Sequence, residues 1–413
     1  MSTTVETLKG KTIGFLASGG LDSCTITRWL TEAGVQVVCF TADLAQPDEK
    51  DIDDIRQRMI ACGAKEHVTV TLRDAIAEAG IDIIQTQARY EGPYWNTTGI
   101  ARHVTVAGVL PEMRTRGIKV LAHGSTGRGN DQVRFQLVTN MLDPTIEVYA
   151  PWRDEVFLAQ FQGRSQMIDF CHDRGLPILA SKESPYSTDS NLLGLTHEAG
   201  MLEILDTPPS FVKPLMGVHA TQAPDVPCLV TIRFEKGRPV AIDGHTMTAL
   251  QAVTLANKLG GENGVGICEH LVENRFVGIK SRGVYEAPGM EVLGRAYAYL
   301  LQLILDRRAR ELFDMLSAVY AKQVYQGYGY DPASQAALAA VRTLAQLLTG
   351  TIRVSLYKGN VSFVSATDVP QSLYSPETAS MEAVGTYNHA DSEGFLRVLS
   401  VSARALAAAR QTR

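Results

Sequence analysis

The chain has 413 residues, 45% of them apolar and 20% charged, material for two or three domains at about 150 residues each and enough for a core that needs no metal or disulfide staples. Its 39 Lys and Arg against 44 Asp and Glu leave a net charge of −5, a poor balance for a general nucleic-acid binder, because phosphate affinity comes from clustered cations. No run approaches the ~18 apolar residues of a membrane span. Near the N-terminus only Ile13 to Ala17 is apolar, too short for a signal-peptide core. The cysteines, Cys24, Cys39, Cys62, Cys171, Cys228 and Cys268, form no C-x-x-C pair, so no zinc or redox pair is expected. Most lie in apolar runs, as reduced buried thiols do. These features predict a soluble, cytoplasmic protein without structural metal.

The first 180 residues alternate strand and helix patterns. Thr12 to Leu16 reads as a strand that stops at Ser-Gly-Gly, and residues 22–33 as a helix with Gly34 as its stop. Gln36–Thr41 is a second strand, 49–62 a helix, His67–Leu72 a strand and 73–86 a helix. Residues 99–116 read as helix, and Lys119–Ala122, Ile146–Tyr149 and Pro177–Ala180 as further strands. Strands alternating with helices of 10–15 residues imply βαβ units and a mostly parallel sheet. Beyond residue 180 the pattern changes. Residues 181–218 are rich in Ser, Pro, Thr and Asn and read as loop. Residues 228–243 form a hairpin turning at Lys236-Gly237, 248–260 and 291–325 are helical, and 351–366 form a hairpin turning at Lys358-Gly359-Asn360. The expected class is α/β: an N-terminal parallel-sheet domain over 1–175, an α+β domain over 176–370 and a helical arm over 371–413. Residues 391–409 carry Phe395, Leu396, Val398, Leu399, Val401 and Leu406. That face must be buried on the chain itself or on a partner.

Of the 35 glycines, a small excess, eight lie in or beside the motifs described next: Gly19, Gly20, Gly92, Gly99, Gly124, Gly127, Gly129 and Gly283. Ala17-Ser18-Gly19-Gly20-Leu21-Asp22-Ser23-Cys24 joins the first strand to the first helix. Glycines let backbone N–H groups approach an anion, and the helix N-terminus adds a favourable dipole. Ser18 and Ser23 offer hydroxyls to phosphate oxygens. Asp22 belongs beside phosphate only with a bridging cation, which implies Mg²⁺. The loop is neither a Walker A nor a dinucleotide motif; the competing reading is a tight capped turn. S-G-G-x-D-S resembles the loop of the N-type ATP pyrophosphatases, whose fold is that of the adenine nucleotide alpha hydrolases. That resemblance implies ATP cleavage between the α- and β-phosphates.

A second cluster, Gly124-Ser125-Thr126-Gly127-Arg128-Gly129-Asn130-Asp131-Gln132-Val133-Arg134-Phe135, also follows a strand. Such a loop suits a polar, charged small molecule, and Arg beside Asn suits a carboxylate. It is equally compatible with a solvated surface loop. With both loops, with Tyr94-Trp95-Asn96-Thr97-Thr98, Pro185-Tyr186-Ser187-Thr188-Asp189-Ser190-Asn191-Leu192, Thr196-His197-Glu198-Ala199 and Glu273-Asn274-Arg275, and with Lys280-Ser281-Arg282-Gly283-Val284-Tyr285-Glu286, the chain resembles the argininosuccinate synthase family.

The resemblance implies a ligase that adenylates citrulline with ATP and lets aspartate displace AMP. It implies ATP contacts at Ala17 to Cys24, Ala42 and Gly124, and a Mg²⁺ reached by Asp22 through the phosphates. It implies aspartate contacts at Thr126, Asn130 and Asp131, and citrulline contacts at Tyr94, Thr98, Asn130, Arg134, Ser187, Thr196, Glu273 and Tyr285. Asp22, Asp131 and Arg134 are the expected catalytic residues, with small-molecule substrates, no nucleic acid or membrane partner, and a homotetramer. Ser23, Cys24, Arg128 and Gly99 depart from the family pattern, Ser23 keeping the hydroxyl of the Thr it replaces. An alternative with the same residues is a relative that adenylates another ureido or amide substrate. His123 and His197 read as core or hydrogen-bonding histidines, Lys280 and Arg282 as phosphate-facing or solvated.

Overall fold

The structure, a computed structural model, describes residues 3–49, 51–178, 185–382, 384–385 and 388–411. The first half builds one parallel sheet from β1 (Thr12–Leu16), β2 (Gln36–Asp43), β3 (Glu66–Thr71), β4 (Val120–His123) and β5 (Glu147–Tyr149), in the order β3-β2-β1-β4-β5. Strands β1, β2 and β4 are almost wholly buried, as expected when helices cover both faces of a parallel sheet. Two apolar clusters do the covering. One holds Trp29, Leu30 and Met59, the other Val109, Leu110 and Met113. The chain leaves β1 in one direction and β4 in the other. The crevice at the carboxyl ends of these two neighbours is the switch point at which open α/β sheets bind ligands.

The second half holds two antiparallel sheets. The hairpin β6 (Ser187–Asn191) and β7 (Gly194–Glu198) joins the hairpin β11 (Glu269–Asn274) and β12 (Lys280–Glu286) in the order β11-β12-β7-β6. Strands β8 (Cys228–Glu235), β9 (Arg238–Ile242), β10 (His245–Thr246), β13 (Gly350–Tyr357) and β14 (Asn360–Thr367) form the other, ordered β10-β9-β8-β13-β14. The largest core lies between that sheet and the helices Arg73–Thr86, Ala249–Glu262 and Pro288–Ile304.

Most first-half expectations match within two or three residues. Three others are corrected. Pro177 and Ile178 have no regular structure, and the rest of that expected strand lies outside the described residues. The segment read as loop carries β6 and β7 in its described part, because Asn191 to Gly194 closes a tight hairpin between strands rich in polar residues. Residues 291–325 are two helices, Pro288–Ile304 and Arg307–Gln326, separated at Leu305-Asp306, where Asp306 caps the second by accepting from Ala309 N at 2.8 Å. A helix over Pro332–Ala345 was not foreseen. The terminal helix Ala390–Gln411 is exposed on its apolar side, with Phe395 at 64%, Val398 at 73% and Leu406 at 61%. Among the described residues the chain does not cover that face itself.

Candidate functional site

The loop after β1 is built to bring hydroxyls and backbone to one point. Ala17 N donates to Phe40 O at 2.9 Å and keeps the strand pairing one residue further. The chain then turns at Gly19, whose φ is +75°; a Cβ there would lie 3.0 Å from Ile55 and 3.1 Å from Arg58 Nη1. Both facts require glycine. The same Arg58 Nη1 donates to the Gly19 carbonyl. Gly20 caps the helix Leu21–Glu32. Ser18 N donates to Ser23 Oγ at 3.0 Å, and the two hydroxyls stand 3.3 Å apart. The Ser23 hydroxyl thus stands beside that of Ser18, whereas the Cys24 thiol is fully buried in the core and points to the Gly19 carbonyl at 3.8 Å. Ala42 lies near the end of β2 beside this loop, next to Thr41, which donates to Ala17 O at 2.6 Å.

Asp22 faces the crevice. Burial raises its carboxyl above the usual range, opposed by the hydrogen bond from Trp152 and the charge of Arg164. That Trp152 Nε1–Asp22 Oδ1 bond is 3.0 Å long. Asp22 shares with Gly124 the wall of a cavity of about 220 Å³. The same cavity is lined by Thr126, Asn130, Asp131 and Arg134 from the second glycine cluster and by Tyr94 and Thr98 from the segment ahead of it. The antiparallel sheet β11-β12-β7-β6 supplies the remaining wall.

Register explains how distant blocks meet there. Asp189 pairs with Thr196, Thr196 with Tyr285, and Glu198 with Gly283, while Glu273 pairs with Ser281. Because side chains alternate across a strand, Asp189, Thr196, Glu198, Glu273 and Tyr285 share one face, and all five line the cavity. Ser187 shares that face but sits exposed on the edge strand, outside the lining. Asp189, Glu198 and Arg275 line the cavity without having been foreseen as ligands. For Asp189 and Glu198 the signal was the period of two within the matched blocks, which a loop reading of 181–218 hid; Arg275 lies in the turn between β11 and β12.

Polar contacts order the wall. Arg134 is buried, donates to Asp131 Oδ1 and to Tyr325 O, both at 2.8 Å, and stacks on the Tyr325 ring. Tyr325, unforeseen, is the hub: Asn130 Nδ2 donates to its hydroxyl at 2.8 Å, and the hydroxyl donates to Glu273 Oε2 at 2.7 Å. Tyr94 receives Thr98 N and Gly99 N on its hydroxyl at 3.1 and 3.2 Å. A Cβ at Gly99 would come 3.3 Å from Val324 O, so a neighbour would have to shift for any larger residue. Thr98 and Thr196 hydroxyls meet at 3.3 Å. Burial alone would raise Asp131, but the charges of Arg102 and Arg134 overcome it and hold this carboxyl well below the usual range. Asp189 and Glu198 are raised instead, chiefly by burial.

Other expectations resolve cleanly. Lys280 donates to Asn274 Oδ1 at 2.7 Å at the surface. Arg282 does not face the cavity; it ties the carbonyls of Leu202, Ile204 and Thr207 at 2.6 to 2.9 Å. Arg128 is exposed, and only its carbonyl is used, accepting from Arg275 Nη1 at 3.3 Å. His123 and His197 are buried and hydrogen-bonded. All six thiols are free, four of them buried. Among the described residues no group of three or more His, Cys, Asp or Glu could hold a metal, and no helix is long and apolar enough to cross a membrane.

Two family models match the chain: the arginosuccinate synthase N-terminal HUP domain over residues 13–177 and the arginosuccinate synthase C-terminal domain over residues 186–406. The argininosuccinate synthase of Rhodopirellula baltica is 43% identical over 389 residues, covering 94% of this chain and 96% of the relative. That of Thermotoga maritima is 39% identical over 387 residues, covering 92% and 94%. That of Nitratidesulfovibrio vulgaris is 38% identical over 392 residues, covering 94% and 96%.

Proposed function

The chain belongs to the argininosuccinate synthase family, and from that premise we propose that its cavity joins citrulline to aspartate with ATP, releasing argininosuccinate, AMP and pyrophosphate. One observation supports the reading above others. Asp22 of the first glycine loop, Asp131 and Arg134 of the second, and Glu273 and Tyr285 of the antiparallel sheet line one cavity at the sheet's switch point.

A ureido carbon is a poor electrophile. Attack of the citrulline ureido oxygen on the α-phosphorus breaks the bond to pyrophosphate and turns that oxygen into part of a leaving group. The aspartate amine then attacks the carbon, and AMP departs with the C–O electron pair. Ser18, Ser23 and the backbone from Ala17 to Cys24, at a helix N-terminus, hold the pyrophosphate end. Gly124 and Ala42 flank the nucleotide. Thr126, Asn130 and Asp131 hold aspartate, Asp131 taking its ammonium. Tyr94, Thr98, Asn130, Arg134, Thr196, Glu273 and Tyr285 hold citrulline, Arg134 facing its carboxylate, with Ser187 at the exposed edge of the same sheet face rather than in the cavity wall. With no base–nucleophile constellation in the wall, the protein contributes positioning and phosphate electrostatics.

A Mg²⁺ fits the donor set as an ion carried by the phosphates rather than by a protein cage. Asp22 offers one carboxylate at the loop, and Mg²⁺ is commonly bound by one or two carboxylates plus phosphate oxygens. Asp22 would hold the ion, which would neutralise phosphate charge. We further propose a nucleotide domain over 1–175, a synthetase domain over 176–370 and an arm over 371–413. The apolar side of the arm would be buried in a homotetramer, and the enzyme would work in the cytoplasm. Pyrophosphate release over a panel of ureido and amide substrates, each with and without aspartate, tests the reading. Release that needs citrulline and aspartate together supports it. Release driven by a different carbonyl substrate favours the alternative relative.

A further inference from the structure

Arg102 belongs to no motif assigned above. It sits one turn beyond Thr98 in the helix Thr97–Thr115, its side chain mostly buried, with its guanidinium over the Phe135 ring. Nε and Nη2 donate to Asp131 Oδ2 at 3.0 and 2.8 Å, and Nη2 donates to Asp189 Oδ2 at 2.6 Å. Asp131, Asp189 and Arg134 line the cavity, whereas Arg102 does not. The cation thus stands behind the wall with both carboxylates in front of it. The wall presents a negative edge to the cavity, which suits an ammonium.

We propose that Arg102 is a positioning residue for aspartate. It locks Asp131, from the glycine loop of the parallel-sheet half, to Asp189, from the antiparallel sheet, so that the ammonium anchor stays charged and in register with the opposite wall. The inference rests on the reading of Asp131 as the anchor of the aspartate ammonium. A lysine cannot replace this fork, because one ammonium does not reproduce the planar, two-carboxylate geometry. The groups facing Asp131 are Arg102, Arg134 of its own helix, Asp189 of β6, Glu198 of β7 and His123 of β4. Without Arg102 only Arg134 opposes burial and the two neighbouring carboxylates. The Asp131 carboxyl would then rise, and the anchor would be lost as pH falls toward that raised value.

The test is steady-state pyrophosphate release by wild type, R102Q and R102K, with each substrate varied in turn and with thermal melts alongside. R102Q is expected to raise the aspartate KM on the order of 30-fold and to leave the ATP KM within about twofold. Its aspartate KM should climb further as pH is lowered from about 8 to about 6, while that of wild type stays flat. R102K should fall between the two, and it carries the test if R102Q does not fold. Folded variants whose aspartate KM and pH dependence match wild type would overturn the proposal. So would a parallel rise in all three KM values, the mark of a merely structural loss. Wild type without release dependent on citrulline and aspartate would instead overturn the functional reading beneath it.

Discussion

Replacing Tyr325 by phenylalanine removes a single oxygen from the centre of the site. That hydroxyl accepts from Asn130 Nδ2 at 2.8 Å and donates to Glu273 Oε2 at 2.7 Å, and the residue is fully buried. The bond to a carboxylate contributes roughly 1.5–3 kcal/mol and the one from an amide about 1 kcal/mol. The total is roughly 2.5–4 kcal/mol. Glu273 keeps Ser281 Oγ on Oε1 at 3.2 Å, and Asn130 keeps Phe276 N on Oδ1 at 2.9 Å, but Glu273 Oε2 and Asn130 Nδ2 lose the partner that Tyr325 gave them. If about half of the loss falls on the geometry of the site, kcat/KM for citrulline drops on the order of tenfold. The ring itself stays, with its face against Arg134, so the fold should survive. The assay is pyrophosphate release with citrulline varied at saturating ATP and aspartate, repeated with ATP varied. An unchanged kcat/KM for citrulline would refute the reasoning, as would an equal loss for ATP, because Tyr325 touches no residue of the first glycine loop.

Gly19→Ala forces a Cβ into a +75° backbone and against Ile55 and Arg58; the ATP KM should rise about tenfold or more with little change in the amino-acid KM values, and an unchanged ATP KM would contradict the loop's role. Glu286→Ala strips the fully buried carboxylate that accepts from Leu215 N, Met216 N and His197 Nε2 at 2.7 to 3.1 Å. Denaturant or thermal unfolding should show a loss of about 3–5 kcal/mol, and a variant as stable as wild type would show that this contact is not structural. Truncation before Asp391 removes most of the exposed terminal helix and should lower the mass seen by light scattering without lowering the melting temperature of the remaining chain. An unchanged mass would refute the arm.

Legibility in the sequence followed local chemistry. The first sheet was readable because its strands are compact apolar runs bounded by glycine or polar turns, as where β1 ends at Leu16 before Ser18-Gly19-Gly20 and where Gly34 precedes β2. The two glycine loops were readable because backbone access to an anion demands small residues at a strand–helix junction. Hairpin β6–β7 was missed because its exposed and cavity-facing positions carry Ser, Thr, Asp and Glu, so the apolar alternation that marks a half-buried strand is absent. Tyr325 was missed for a different reason. It lies in an ordinary amphipathic helix, and only the packing of Arg307–Gln326 against Tyr94 and Arg134 makes it a hub. Resemblance brought in Tyr94, Thr196, Glu273 and Tyr285, which no single local pattern links; their joint lining of the cavity comes from strand register. Arg282 shows the converse, a cation inside a matched block that is consumed in capping carbonyls.

The most direct test of the central claim is release of pyrophosphate from ATP by the purified full-length chain. With citrulline and aspartate supplied together, pyrophosphate and AMP should accumulate in equal amounts alongside argininosuccinate, and neither amino acid alone should sustain turnover. Sustained turnover without aspartate, or none with both amino acids while another ureido or amide substrate supports it, would contradict the account.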